Sequence, residues 1–183
     1  FANYKNASIG DTTVSEIVAA TADGKTLIYT DAERGTIGFI DITNPAAPAA
    51  GGTVVLDPDP NDDVDYSPTS VDVLRNQYAL VAADTSASKK NASGELLVID
   101  LATRATVARI DLGGQPDSLK VSPDHRFIAI AIENERDEDL NDGLLPQYPS
   151  GALLIVDLKG APGSWTITQA DLDGGSVKNT AKA

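Results

Sequence analysis

Carboxylates are the only side chains in this sequence present in numbers and at spacings that suggest chemistry. Two acidic loops share the spacing Asp-x-Asp-x-Asn-Asp: Asp57, Asp59, Asn61 and Asp62 in one, Asp137, Asp139, Asn141 and Asp142 in the other. The second follows Glu133-Asn134-Glu135. Clustered carboxylates repel one another and are relieved by hard cations with oxygen ligands, so calcium is the cation these loops would take. The ligands expected are Glu133, Glu135, Asp137, Asp139, Asn141 and Asp142, with Asp57, Asp59 and Asp62 in the other loop. The second loop falls short of an EF-hand, because Gly143 comes one residue late and Tyr148 stands where a bidentate Glu belongs. A solvated acidic loop that holds nothing is the competing reading. If a metal is held, it would polarise a phosphate ester or other ester while a carboxylate acts as general base. Glu16, Asp117 and Glu133 are the candidates for that role.

Other chemistries are poorly supplied. The single histidine, His125, lies in a Ser-Pro-Asp-His-Arg turn, which leaves no Ser-His-Asp triad and no multi-histidine metal site. With no Cys there is neither thiol catalysis nor a disulfide framework. No Gly-rich phosphate loop carries the Lys and Ser/Thr it would need. A net charge of -13 argues against nucleic-acid backbones and anionic membrane surfaces. No apolar run is long enough to span a membrane. The sequence holds no Met and opens on Phe1, from which removal of a leader peptide is expected. Asn6-Ala7-Ser8 and Asn91-Ala92-Ser93 match the glycosylation acceptor pattern, relevant only in a eukaryotic secretory setting.

The elements that position these residues recur. Gly35 to Ile42, Gly94 to Leu101 and Gly151 to Leu158 are one pattern in three copies, ending at Asp41, Asp100 and Asp157. A recurrence of this kind is the signature of repeat architecture. Each copy is preceded by a hairpin: Glu16–Ala19 with Leu27–Tyr29, Ser70–Val73 with Tyr78–Val81, and Ser118–Val121 with Phe127–Ala131. The first two turns carry Asp-Gly and Asn, which tolerate positive φ, and the third is Ser-Pro-Asp-His-Arg. A fourth strand follows each copy, over Thr53–Leu56, Thr106–Ile110 and Trp165–Thr168. Four antiparallel strands per repeat predict an all-β fold, a β-propeller with three four-stranded blades. The blades are expected over residues 14–65, 66–114 and 115–173. Residues 1–13 would supply a closing strand, and 174–183 would lead into a further blade or tail. Trp165 is expected to pack between blades or on the outer strand, and the recurring Asp residues to serve turns rather than catalysis.

The motifs Ser15-Glu16-Ile17-Val18-Ala19, Asp41-Ile42-Thr43-Asn44-Pro45-Ala46-Ala47-Pro48, Gln115-Pro116-Asp117-Ser118-Leu119 and Glu133-Asn134-Glu135 resemble a known group. They are similar to the YVTN-type secreted propellers, and more closely to the alkaline-phosphatase-like and phytase-like propellers labelled choice-of-anchor. The resemblance covers about residues 14 to 172; the insertion from Asp137 to Tyr148 departs from it. It implies a secreted, periplasmic or cell-surface protein that binds calcium and hydrolyses phosphate esters. Relatives such as the mesenchyme-specific cell-surface glycoproteins imply the alternative, a non-catalytic surface scaffold. Three blades are fewer than the four to eight that close a ring, so the remainder of the propeller is expected as a partner.

In such a blade the loop between strands two and three shares a face with the link to the next blade. That places both acidic loops, Asp31, Glu33, Asp84, Asp171 and Asp173 at one mouth. Glu16 and Asp117 start the innermost strands at the same mouth, with Thr69 in their place in the second repeat.

Overall fold

The structure is a computed structural model and describes residues 12–144 and 150–170. Most of the expected closing strand, Tyr148, Asp171, Asp173 and the stretch 174–183 lie outside these residues. Within them, twelve strands form three four-stranded antiparallel sheets, each in simple sequence order. The first blade is β1 (Ser15–Ala20), β2 (Thr26–Asp31), β3 (Thr36–Asp41) and β4 (Ala49–Val55). The second is β5 (Ser67–Leu74), β6 (Tyr78–Asp84), β7 (Gly94–Asp100) and β8 (Thr106–Asp111). The third is β9 (Pro116–Val121), β10 (Phe127–Ile132), β11 (Ala152–Asp157) and β12 (Thr166–Ala170). This is the three-bladed part of a propeller that the repeats predict.

Period-two alternation explains how the blades stack. In β7, Leu96 and Val98 face a core shared with the third blade, while Leu97 and Ile99 face a core shared with the first. β6 divides in the same way, with Leu80 and Ala82 on one side and Ala79, Val81 and Ala83 on the other. The middle blade is therefore buried on both faces, and its strands read as continuous apolar runs rather than alternating ones. Each fully buried Leu or Ile contributes about 1.5–3 kcal/mol. The outer blades alternate visibly: Ile28 in β2 is buried between half-exposed Leu27 and Tyr29, and Leu154 in β11 between half-exposed Leu153 and Ile155. Trp165 joins the core between the second and third blades, its indole N–H donating to the Gly160 carbonyl at 3.3 Å.

Two backbone bonds recur with the repeat. The residue after each repeated Asp donates to the hairpin beside it: Ile42 to Lys25, Leu101 to Gln77 and Leu158 to Arg126, at 2.8–2.9 Å. At the other end of the blade, Leu56 donates to Gly35 and Leu112 to Gly94.

Strands β4, β5 and β9 start earlier than expected. β4 begins at Ala49, not Thr53, because Ala49 and Ala50 pair with Asp41 and Ile40 across a bulge. Gly51 lies so close to the Phe39 backbone that an added Cβ would sit 2.7 Å from the Phe39 carbonyl oxygen. β5 and β9 start earlier than expected, taking in Pro68 and Pro116; both are innermost strands at a sheet edge, where a missing N–H breaks no ladder.

Candidate functional site

On the first face the acidic loops are organised by their own backbones. Asp57 Oδ1 accepts the Asp59 N–H at 2.8 Å, Asp59 Oδ1 the Asn61 N–H at 3.1 Å, and Asp62 Oδ1 the Val64 N–H at 2.9 Å. In the longer loop Asp137 Oδ1 accepts the Asp139 N–H at 3.0 Å. These are Asx turns, in which a carboxylate mimics a backbone carbonyl two residues on. The shared Asp-x-Asp spacing is thus the period of a turn series. Asp59 also accepts the Asn61 side-chain amide at 2.9 Å; that bond and the Asn61 N–H hold its carboxyl below the usual range. Asn141 and Asp142 form a single 3-10 turn with Gly143, both at positive φ.

Other carboxylates on this face serve the fold. Asp31 is buried and accepts the Val14 N–H at 3.0 Å. Asp84 accepts the Ser86 N–H at 2.9 Å and the Gln115 side-chain amide at 3.1 Å. Glu135 pairs at 3.5 Å with Lys89, both half exposed. Among the described residues, no three Asp, Glu or His side chains converge as a metal shell requires.

Glu16, Asp117 and Glu133 are exposed and form no side-chain bond among the described residues. The first two stand on equivalent irregularities. The pairing slips between Ser15 and Val18 in β1, between Pro68 and Ser70 in β5, and between Pro116 and Ser118 in β9. Glu16, Thr69 and Asp117 occupy these bulges, at the first-face end of each innermost strand. A bulge re-aims the side chain it carries. An inserted residue of this kind leaves no mark in composition, although the alignment of Glu16, Thr69 and Asp117 across repeats did.

Gln115 and Asn134, which enter the sequence reading only as parts of motifs, form a well-bonded polar group on this face. Asn134 is 9% exposed and at positive φ, which Asn tolerates. Its side chain joins Gln115 N–H to the Ser150 carbonyl, at 2.8 and 2.9 Å. Gln115 in turn takes the Glu135 N–H on Oε1 and the Glu133 N–H on its backbone oxygen, both at 2.9 Å. The Glu-Asn-Glu segment is thereby fixed to the start of β9.

The second face is built from hairpin tips and from the repeated Asp. Asp41 accepts the Thr43 N–H at 2.8 Å, and Asp100 accepts from Ala102 N–H, Thr103 N–H and the Thr103 hydroxyl at 2.8–3.0 Å. These backbone and hydroxyl donors hold both carboxyls below their usual range. The turn role expected for the repeat thus holds for Asp41 and Asp100, while Asp157 makes no such bond. Arg75 and Asn76, both at positive φ, join neighbouring blades: Arg75 donates to the His125 carbonyl at 3.0 Å and Asn76 Oδ1 accepts the Ala22 N–H. This face balances charge, with Asp23, Asp41, Asp100, Asp124 and Asp157 against Lys25, Arg75, Arg104, Arg126 and Lys159.

The family profile of the choice-of-anchor I domain matches residues 16–182. The chain belongs to that family. Membership supports the extracellular or surface-anchored setting that the motifs implied. No helix among the described residues is long and apolar enough to cross a membrane. No curated protein matches the sequence significantly. Solved structures do resemble the fold. The periplasmic gluconolactonase PpgL of Pseudomonas aeruginosa aligns with TM-score 0.59 at 15% identity, covering 86% of this chain and 39% of its own. Hydrazine synthase of Kuenenia stuttgartiensis aligns with TM-score 0.55 at 16% identity, over 78% of this chain and 34% of its own. The β-propeller domain of Cps50 (Swd1) from Myceliophteria thermophila aligns with TM-score 0.54 at 15% identity, over 88% and 42%. At these identities the likeness is one of fold. The chain spans less than half the length of each.

Proposed function

We propose that this choice-of-anchor I chain supplies three blades of an extracellular binding propeller, a scaffold that presents polar loops without turning over a substrate. The observation that carries this reading is the use made of the first-face carboxylates. Asp57, Asp59, Asp62, Asp84 and Asp137 accept bonds from backbone or amide donors of the blade itself. A general base or metal ligand needs its lone pairs aimed at a reacting centre, and one oxygen of each of these is aimed at its own loop instead. The partner required is the remainder of the propeller. Leu27 and Tyr29 on one outer blade, Leu153 and Ile155 on the other, are half-exposed faces that further blades would bury.

A calcium-dependent hydrolase of phosphate esters or related anionic ligands is the second reading. It is favoured by Glu16, Asp117 and Glu133, whose carboxylates are exposed and uncommitted. The Asx turns of Asp57, Asp59 and Asp62 also commit only Oδ1, leaving Oδ2 outside the turn bond. Calorimetric titration with calcium separates the two. The scaffold reading expects only weak binding that salt abolishes, since screened surface charge is all that remains. Tight one-to-one binding lost in Asp137→Asn would favour the hydrolase.

A further inference from the structure

Arg104 lies in the turn between β7 and β8, on the charge-balanced second face, in a left-handed conformation (φ 63°). Its guanidinium crosses to the first blade and stacks on Phe39, with Cζ 3.5 Å from the ring centroid. Among the described residues it makes no ion pair and no side-chain hydrogen bond, and its Nη1 is buried without a partner. Burial alone acts on the group, pulling its pKa down with no carboxylate to offset it. Two clefts meet at this side chain. One, of about 200 Å³, runs toward Asn76 and Leu101; the other, of about 400 Å³, runs toward Thr43 and Gly51. Asp23 borders both. Its carboxylate is already held by the Thr21 hydroxyl at 2.6 Å and the Lys25 N–H at 3.1 Å.

A half-buried guanidinium in this state lacks the acceptor its fork is shaped for. Nη1 is buried while the rest of the guanidinium borders both clefts, so an acceptor seated there bonds N–H groups that no described group of the protein takes. The stacking ring fixes the guanidinium plane and reduces the ordering a ligand must impose. Asp23 and Asp41 stand close by, and their field opposes a doubly charged anion more than a singly charged one.

We infer that the clefts around Arg104, at the junction of the first two blades, form a binding site for a small organic carboxylate, with the Phe39-stacked guanidinium as its anchor. The inference concerns the opposite face from the acidic loops and stands independently of the scaffold reading.

The test is a titration of the full chain with sodium acetate against sodium chloride at matched ionic strength. Arginine Nε–H resonances are followed by NMR, and melting temperature is followed in parallel. The Arg104 Nε–H resonance is expected to shift saturably with acetate and less with phosphate. In Arg104→Gln the acetate-dependent rise in melting temperature should need a roughly tenfold higher concentration. Arg126→Gln, on the same face with its side chain 81% exposed, should respond like the parent. Equal acetate stabilisation of the parent and Arg104→Gln, or no saturable shift at Arg104, would overturn the site and leave the residue as a clamp between blades. Tighter binding of phosphate than acetate would overturn the ligand class. Should Arg104→Gln fail to fold, the resonance shift in the parent decides alone.

Discussion

The Asn134 side-chain oxygen accepts the Gln115 backbone N–H at 2.8 Å, tying the end of β10 to the start of β9 across the acidic loop. Because Asn134 is nearly buried and also donates to Ser150 at 2.9 Å, its removal strands two backbone groups. Asn134→Ala should cost about 1–3 kcal/mol, lowering the melting temperature by about 2–10 °C. Asn134→Gly retains the positive φ without strain and should lose less. Gly114→Ala tests the same contact from outside, since an added Cβ would stand 2.7 Å from Asn134 Oδ1. It should destabilise in thermal unfolding without altering residues at other blades.

Ser70 and Asp72 of the second blade cap the innermost strand of the third. Ser70 Oγ accepts the buried Leu119 N–H at 3.1 Å, and Asp72 Oδ2 accepts the Val121 N–H at 3.0 Å. Ser70→Ala should cost about 1–3 kcal/mol in chemical denaturation, the value for an orphaned buried donor. Lys120 pairs with Asp72 at 2.9 Å but is 79% exposed. Lys120→Ala should therefore change stability by about 0–1 kcal/mol, well below Asp72→Ala.

Acid unfolding should follow the turn carboxylates. Asp23, Asp41, Asp100 and Asp124 all have folded pKa values held below 3.8 by donors in their own turns. A depressed folded pKa means stability that is fully present above the unfolded value and lost as pH falls through the folded one. Stability should thus be insensitive to these groups above pH 3.8 and decline below it. Asp100→Asn should flatten that decline in a pH series of denaturant midpoints.

How much of this was legible in the sequence depended on whether the signal was local. Leu96-Leu97-Val98-Ile99 between Gly94 and Asp100 announces a strand, and its repetition announces blades, because side chains alternate faces whatever surrounds them. The turn role of Asp41 and Asp100 was legible for the same reason. The acidic loops were ambiguous: an Asp every second residue serves a series of Asx turns as well as a cation loop, and only geometry separates the two. Arg104 was invisible, since its environment is made by Phe39 on another blade. So was the junction role of Asn134, which depends on Gln115 reaching it from the neighbouring strand. Glu16 and Asp117 stand on equivalent bulges of β1 and β9, a correspondence that the alignment of the repeats carries.

The measurement that bears most directly on the scaffold reading is turnover of a phosphomonoester and a phosphodiester by the assembled protein, in calcium and then in chelator. The same background rate is expected in both conditions and in Glu133→Gln. Turnover that needs calcium, disappears with chelator and fails in Glu133→Gln would contradict the scaffold reading and establish a metal-dependent hydrolase.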